Sequence, residues 1–263
     1  MRNKWLRALY YKHLKYHMTG RFDELLLLFF LFRKTGVKGL MFDVGSHFGE
    51  SAQLFLLLGW TVHGFEPDPD GRKKDALSAL QREFRRFHLH DVAVSNEDGR
   101  ELSFYASAES TGISSLLPFT GRHREVRKVT TCTLDRFAAD YGIDTLDFLK
   151  VDVEGYDLRV LQGCSLENLG PKAILCEFED NKTRTIGYDY HDLGDYLLGR
   201  GYDVYLSEWY PIERYGIEHR WRCIRRYPCE TGVPSCWGNF IALQKEYSPC
   251  FQGILKSKYN IKI

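Results

Sequence analysis

The sequence predicts an α/β fold in which a parallel sheet is wrapped by helices on both faces. From residue 39 onward, short apolar runs of strand length alternate with segments whose apolar residues recur at helical spacing, the pattern of consecutive strand–helix units. Glycines fall where such segments end, at Gly59, Gly142 and Gly199, as chain reversals require. With 263 residues, 44% hydrophobic and 27% charged, the chain has ordinary globular composition, which excludes a disordered, collagen-like or fully membrane-embedded protein. No repeat or low-complexity linker interrupts it, so residues 39–263 read as one domain behind an N-terminal helical extension, residues 1–38.

The elements follow in order. Gly39–Val44 is a buried strand, the stretch from Gly45 to Gly49 a turn, and Ser51–Leu58 a helix closed by Gly59. Trp60–Phe65 is the second strand. The next helix runs from Asp70 to Phe87, with Ala76, Leu77, Leu80, Phe84 and Phe87 on one apolar stripe, and His88–Val94 is the third strand. Glu101–Ala106 and Val126–Cys132 are extended segments around a Ser/Gly-rich loop, an excursion inserted into the alternation. Thr133–Tyr141 is a short helix, Leu146–Val153 a buried strand, and Tyr156–Leu169 a helix with Leu158, Leu161 and Cys164 on one face. Ala173–Phe178 and Tyr202–Leu206 are strands separated by the helix Asp192–Leu198, and Trp237–Leu243 closes the sheet.

Net charge is +1, from 36 Lys and Arg against 35 Asp and Glu, and gives no reason to expect nucleic acid as a partner. The balance hides an asymmetry: residues 1–38 carry +7 and the remainder −6. The apolar run Leu25–Phe32 lies in this head, far short of the roughly 20 residues a spanning helix needs. Arg33-Lys34 closes it, without the cleavage pattern of a secretory signal. Two readings stand. Either the head is a helix packed on the domain, with 24–33 beside the first strand, or Trp5, Leu6, Leu9, Tyr10 and His13 face a membrane surface among basic residues. Seven cysteines are too sparse for a disulfide scaffold in a chain this long, which points to a reducing, cytoplasmic setting, membrane-peripheral on the second reading.

The sharpest chemical feature is Met41-Phe42-Asp43-Val44-Gly45-Ser46-His47-Phe48-Gly49-Glu50. A strand ends in an acid, two glycines flank a tight turn, and a helix begins. Ligands of open parallel sheets bind beyond the carboxyl ends of the strands, where glycine lets the backbone come close. The spacing differs from the dinucleotide pattern Gly-x-Gly-x-x-Gly: no third glycine packs the helix on a pyrophosphate. An acid beside a turn of free N–H groups suits a ligand with an amino and a carboxylate group. Further acids stand in register. Glu66, followed by the strand-stopping Pro67, lies 23 residues after Asp43, where a carboxylate can accept both hydroxyls of a ribose. Asp91 ends the third strand, suited to an exocyclic amine, and Asp152 borders the same edge from the other half of the sheet.

On these residues the sequence resembles the FkbM family of S-adenosylmethionine-dependent methyltransferases. The matching stretches are Phe42–Gly49, Phe65-Glu66-Pro67, Asp91–Ser95, Gly112–Leu116 and Thr133-Leu134-Asp135-Arg136-Phe137, leading into Asp147–Tyr156 with its Lys150-Val151-Asp152-Val153-Glu154-Gly155. The resemblance covers roughly residues 39–180, with an echo at Trp237–Ile241. One departure is His47, where the family often has Asn; both donate to a carboxylate. The resemblance implies a Rossmann-like, seven-stranded methyltransferase sheet and methyl transfer to a hydroxyl, often on a sugar or natural product. It implies S-adenosylmethionine as cofactor, with Asp43 holding the amino group of the methionine end and Gly45, Ser46, His47 and Gly49 forming the turn around it. Glu66, with Pro67, would hold the ribose, Asp91 and Val92 the adenine, and Ser115 would close over the cofactor.

Methyl transfer to an alcohol needs in-line positioning and a base for a proton whose pKa lies far above 7. Lys150, Asp152 and Glu154 are therefore the catalytic candidates. Asp152 or Glu154 takes the proton; Lys150 stabilises alkoxide charge or holds Glu154, the alternative being a buried ion pair that only shapes the loop. Asp152 with Glu177 and Glu179 would be a possible Mg²⁺ set, a less favoured route to activating the hydroxyl. His219, Cys223, Cys229, Cys236 and Cys250 lack the paired spacing of zinc sites and read as packed thiols. The arginine-rich stretch His219–Tyr227, beside Trp209 and Tyr210, reads as a loop covering the sheet edge or as a sugar-binding surface. The acceptor is expected to be a small molecule or glycan. The competing functions are O-methylation of a lipid or polyketide at a membrane, a nucleotide-binding oxidoreductase, and a non-catalytic binding module. The missing third glycine argues against the oxidoreductase, and the set of strand-end acids against the binding module.

Overall fold

The structure, a computed structural model, describes residues 21–214 and 219–263; the membrane-facing reading of Trp5, Leu6, Leu9, Tyr10 and His13 falls outside them. Helix α1 (Glu24–Thr35) starts at Asp23, whose side chain accepts the Leu26 N–H, and ends at Gly36 in the left-handed region, while Arg33 and Lys34 face its negative end. Then follow β1 (Leu40–Val44), α2 (Glu50–Leu57), β2 (Thr61–Phe65), α3 (Gly71–Glu83) and β3 (Phe87–His90). Next come β4 (Ala93–Val94), β5 (Glu101–Ser107), β6 (His123–Cys132), α4 (Leu134–Tyr141), β7 (Phe148–Val151), α5 (Asp157–Gln162) and α6 (Leu166–Leu169). The chain continues through β8 (Ala173–Phe178), α7 (Asp180–Thr183), α8 (Tyr190–Leu198), β9 (Asp203–Trp209), β10 (Trp221–Arg226), β11 (Trp237–Leu243) and α9 (Ser248–Tyr259).

Among the described residues, eight strands form one sheet in the order β10-β9-β11-β8-β7-β1-β2-β3. Strands β3, β2, β1, β7 and β8 are mutually parallel, and β11 runs antiparallel between β8 and β9. Side chains alternate across this sheet: Phe42 and Val44 enter the core under α4, α5 and α8, whereas Met41 enters the core under α1, α2, α3 and α9. The α/β architecture with helices on both faces is therefore as the sequence predicts. The strand count is eight rather than seven. The extra strand is β10, whose arginine-rich residues the sequence suggests as a covering loop; it pairs antiparallel with β9. Strand β11 does not close an edge but sits inside the sheet.

Other differences have local causes. The third strand breaks after His90: β3 stays in the main sheet, while β4 crosses to a small sheet with the β5–β6 hairpin. Helix α3 stops at Glu83, so Phe87, expected on its stripe, opens β3 instead. The helix expected over Tyr156–Leu169 is interrupted at 163–165. A Cβ on Gly163 would lie 2.2 Å from the Ser95 carbonyl oxygen, and the Asp135 carboxylate accepts both the N–H and the hydroxyl of Ser165. Helix α9 was not anticipated; Phe251, Ile254 and Leu255 bury it beside α1.

The apolar run in α1 is core: Leu27, Leu28, Leu31 and Phe32 are fully buried, and Phe32 packs on Trp60 and Phe148. No helix among the described residues is long and apolar enough to cross a membrane. All seven cysteines are free. Cys236 lies in the core under α4, α5 and α8, with Cys229 packed against it, and Cys250 packs against the core on the opposite face, while Cys223 lies beside Arg222 and Glu208.

Candidate active site

The β1–α2 turn is built around backbone demands that explain its glycines. Gly45 has φ +79°, and a Cβ there would come within 1.9 Å of the Asp152 carbonyl oxygen, so no larger residue fits without moving the β7 turn. The N–H groups of Gly45 and Ser46 both donate to the Phe65 carbonyl, and the Ser46 hydroxyl donates to the Asp43 carbonyl at 2.8 Å. His47 adopts φ +53°, which turns its N–H onto Glu66 Oε2 at 2.7 Å. Gly49 begins α2 at φ +82°, its α-carbon pressed toward Leu80.

This turn, the end of β2, the β7 turn and the loop after β5 enclose one cavity. Of the residues expected to act, Gly45, Ser46, His47, Glu66, Pro67, Val92, Ser115, Lys150, Asp152 and Glu154 line it. Three others do not. Gly49 serves the start of α2. Asp43 is wholly buried beneath Lys150, 3.4 Å from its Nζ, and otherwise neither carboxylate oxygen has a hydrogen-bond partner among the described residues. Asp91 is half-exposed and turned away, paired with Arg127 at 2.7 Å and Lys74 at 3.5 Å. Where the sequence suggested both Asp91 and Val92 beside an adenine, only Val92 faces the cavity, because the two basic residues of α3 and β6 draw the carboxylate outward.

Glu66 is nearly buried. Its Oε2 accepts from His47 and its Oε1 from the Asp68 N–H at 3.0 Å, leaving each oxygen one lone pair for a ligand. Burial pushes its carboxyl above the usual range, and Lys73 opposes that. Lys73 and Asp68 are themselves a buried pair, 2.7 Å apart, and Lys73 reaches the cavity wall. Ser115 ties the loop after β5 across the site: its hydroxyl lies 3.0 Å from the Glu154 carbonyl oxygen and accepts the Leu117 N–H.

The lysine and carboxylates of the β7 turn are paired differently from the expectation. Lys150 donates to the Gly45 carbonyl at 2.8 Å and lies 3.4 Å from both Asp43 and Asp152; it does not hold Glu154. Burial opposes its charge, but Asp152 and Asp43 outweigh that and hold its pKa above the usual value for lysine. Asp152 is the carboxylate that remains half-exposed toward the cavity. Glu154, in the left-handed region at φ +57°, is instead bound by Lys182 at 2.5 Å. Lys182 is almost wholly buried and also meets Glu179 at 2.7 Å and Glu177 at 3.3 Å. Burial raises the carboxyls of Glu154 and Glu177 against the pull of Lys182. Asp157 beside them is pushed up to about 7 by burial, with Asp152 and Glu154 adding to it.

Asp152, Glu154 and Glu177 bring oxygens within 4.8 Å of one another, while Glu179, expected in that set, turns to Lys182. Among the described residues, Lys182 is the cation that meets Glu154, Glu177 and Glu179, while Asp152 pairs with Lys150. Sequence reasoning missed Lys182 and Lys73. Each lies among charged residues in sequence (Glu179-Asp180-Asn181-Lys182 and Asp70-Gly71-Arg72-Lys73) and reads there as a solvated side chain.

Residues 43–204 match the family model of the methyltransferase FkbM domain. The chain belongs to the FkbM methyltransferase family. Over 162 residues it is 25% identical to the 2-O-methyltransferase NoeI of Sinorhizobium fredii, an alignment covering 54% of this chain and 64% of NoeI. The chain thus spans less than two thirds of that relative's length. Among solved structures, it is similar to magnesium protoporphyrin IX methyltransferase (ChlM) from Synechocystis PCC 6803 with bound SAH, at TM-score 0.46, 10% identity, 92% of this chain and 93% of the other. It is also similar to precorrin-6y C5,15-methyltransferase from Geobacter metallireducens GS-15, at TM-score 0.40, 12% identity, 81% of this chain and 85% of the other. The family match of this FkbM methyltransferase runs from the end of β1 to the start of β9.

Proposed function

We propose that this FkbM methyltransferase transfers a methyl group from S-adenosylmethionine to a hydroxyl oxygen of a sugar or sugar-containing molecule. The observation that carries the reading is the cavity at the carboxyl ends of β1, β2 and β7, with Glu66 and Asp152 facing into it from opposite sides. The residues present fit that cofactor. Glu66 keeps open lone pairs for a diol, Phe65, Val92 and Phe104 offer apolar wall to a purine, and the charge pair of Asp43 and Lys150 lies beneath the turn that would meet an amino acid end. NoeI, named as a 2-O-methyltransferase, supports oxygen as the target. The near-zero net charge supports a small molecule or glycan over nucleic acid.

Held through Glu66 and the turn above Asp43 and Lys150, the cofactor would supply a methyl group from its sulfonium, and transfer of that group to the hydroxyl oxygen would leave a thioether and one proton to be removed. The chain's work is to orient the hydroxyl and accept that proton as the new bond develops. Asp152 is the general base in this reading, since it is the carboxylate open to the cavity, and it passes the proton to solvent. Lys150 is the positioning group: its ammonium stays charged, fixes Asp152 by the 3.4 Å ion pair and braces the turn through the Gly45 carbonyl. Glu154 is tied to Lys182 and shapes the far wall.

Calorimetric titration with S-adenosylhomocysteine and with NAD tests the cofactor. Binding of the first and not the second is expected, and Glu66→Ala weakens it about tenfold or more through the lost charge-assisted hydrogen bonds. NAD binding without S-adenosylhomocysteine binding overturns the reading. Asp152→Asn lowers kcat by about 10²–10⁴-fold while sparing cofactor affinity.

A further inference from the structure

A second cleft, of about 270 Å³, opens on the other side of the Glu154–Lys182 pair. Its walls are unlike those of the first. Phe119 and Pro211 supply apolar surface, while Thr120, Glu179 and Asn181 supply polar groups, with Lys182 at the base. Lys182 lines this cleft and binds Glu154, which lines the first, so one ion pair is where the two cavities meet.

The cleft is built rather than incidental. His123 is nearly buried; its ring nitrogens lie 2.8 Å from the Ile113 carbonyl and 2.8 Å from the Thr120 hydroxyl, and its ring packs on Phe119 with centroids 4.6 Å apart. These contacts fix the loop that presents Phe119 and Thr120. On the opposite wall Glu179 is only 7% exposed. Its Oε2 sits 2.7 Å from Lys182 Nζ, yet it has no hydrogen bond of good direction among the described residues. With Oε2 enclosed against the Lys182 ammonium, the other oxygen of this carboxylate is the one that can accept from a molecule in the cleft.

We infer that this cleft is the acceptor subsite and that it takes a single uncharged sugar ring. The inference rests on the methyltransferase reading and deepens it. A sugar has a C–H face for Phe119 and Pro211 and hydroxyl donors for Glu179, Asn181 and Thr120. A phosphate or carboxylate is disfavoured, because Lys182 is already shared among three glutamates. The volume falls just under the roughly 300–1,000 Å³ of sites for drug-sized ligands, room for one ring and not for several. A ring held against Glu179 and Lys182 stands next to Glu154, the boundary of the first cavity, from which a hydroxyl must extend toward Asp152 to be methylated.

Saturation-transfer NMR tests this on the full chain loaded with S-adenosylhomocysteine, with methyl glycosides of glucose, mannose and fucose as probes. Ring-proton transfer from at least one glycoside is expected, falling about fivefold or more in Phe119→Ala and in the exposed Asn181→Ala, with S-adenosylhomocysteine affinity unchanged in both. The inference is overturned if no glycoside receives saturation, or if transfer survives both substitutions. Failure of S-adenosylhomocysteine itself to bind would instead overturn the methyltransferase reading, so the two failures are told apart by the calorimetric control.

Discussion

Asp43 and Glu208 are both wholly buried carboxylates on strands of the same sheet, and they are held in opposite ways. Glu208, on β9, accepts from Arg222 at 3.1 Å, from Arg225, and from the Gly232 N–H at 2.9 Å. The Asp43 carboxylate, on β1, has one long ion pair to Lys150, and neither of its oxygens has a hydrogen-bond partner among the described residues. Burial accordingly raises its pKa, with Lys150 opposing. A carboxylate saturated by guanidinium and backbone donors is a staple: it joins β9, β10 and the loop at Gly232. One left short of donors, at a strand's carboxyl end beside a cavity, holds charge in reserve near a ligand site.

Isosteric neutralisation separates the two. Glu208→Gln leaves Arg222 and Arg225 without their anion, and urea unfolding should record a loss of about 3–5 kcal/mol. Asp43→Asn should cost less stability than that, because Asp152 still pairs with Lys150, yet weaken S-adenosylhomocysteine binding about tenfold. Equal stability losses in the two variants would erase the contrast.

A smaller effect comes from the histidines on the ligand half of the sheet. His63 Nδ1 and His90 Nε2 lie 3.0 Å apart, with His88, Phe137 and Tyr141 packed around them. Burial, with the neighbouring histidines adding, lowers the pKa of both from 6.5 to about 4. The unfolded chain therefore takes up protons below pH 6.5 that the fold refuses until about 4. Their contribution to stability is complete above 6.5 and is lost as pH falls through that window. Asp157, raised to about 7, has the opposite sign: its contribution is complete at low pH and is lost as pH rises toward and through 7. On acidification from pH 7 to 5 the Tm of the His63→Phe/His90→Leu double variant should therefore move about 2–4 °C more favourably than that of the parent.

The smallest effect sharpens the site's outline. Asp91→Ala removes only exposed ion pairs, so stability should change by less than about 1 kcal/mol and S-adenosylhomocysteine affinity should not move. A lost affinity would bring Asp91 back to the cofactor.

Much of the ligand half was legible because its signals are local. Glycines at 45 and 49, an acid ending each strand and Thr133 before Leu134 each dictate their own backbone, and the structure follows them. What was not legible depends on tertiary partners. Lys182 sits on a four-residue helix, and only the fold brings Glu154 and Glu177 to it. The arginines of β10 resembled a solvated loop, because Glu208 and Asp203, which receive them, lie up to 23 residues upstream. Helix α9 did carry a readable signal, Pro249 in its first turn followed by Phe251, Ile254 and Leu255 at helical spacing.

One contact made by α1 bears on how the chain can be cut. The buried Glu24 carboxylate accepts from Ser207 and from the Trp209 indole, both at 2.6 Å, and Phe22 stacks on Trp221 at 4.1 Å. Residues 22–24 are thereby fastened to β9 and β10, some 185 positions away along the chain. Any deletion meant to ask what the basic head does at a lipid surface must stop before Arg21. A cut at residue 38 would pull a helix out of the core, and the measurement would report unfolding in place of membrane affinity.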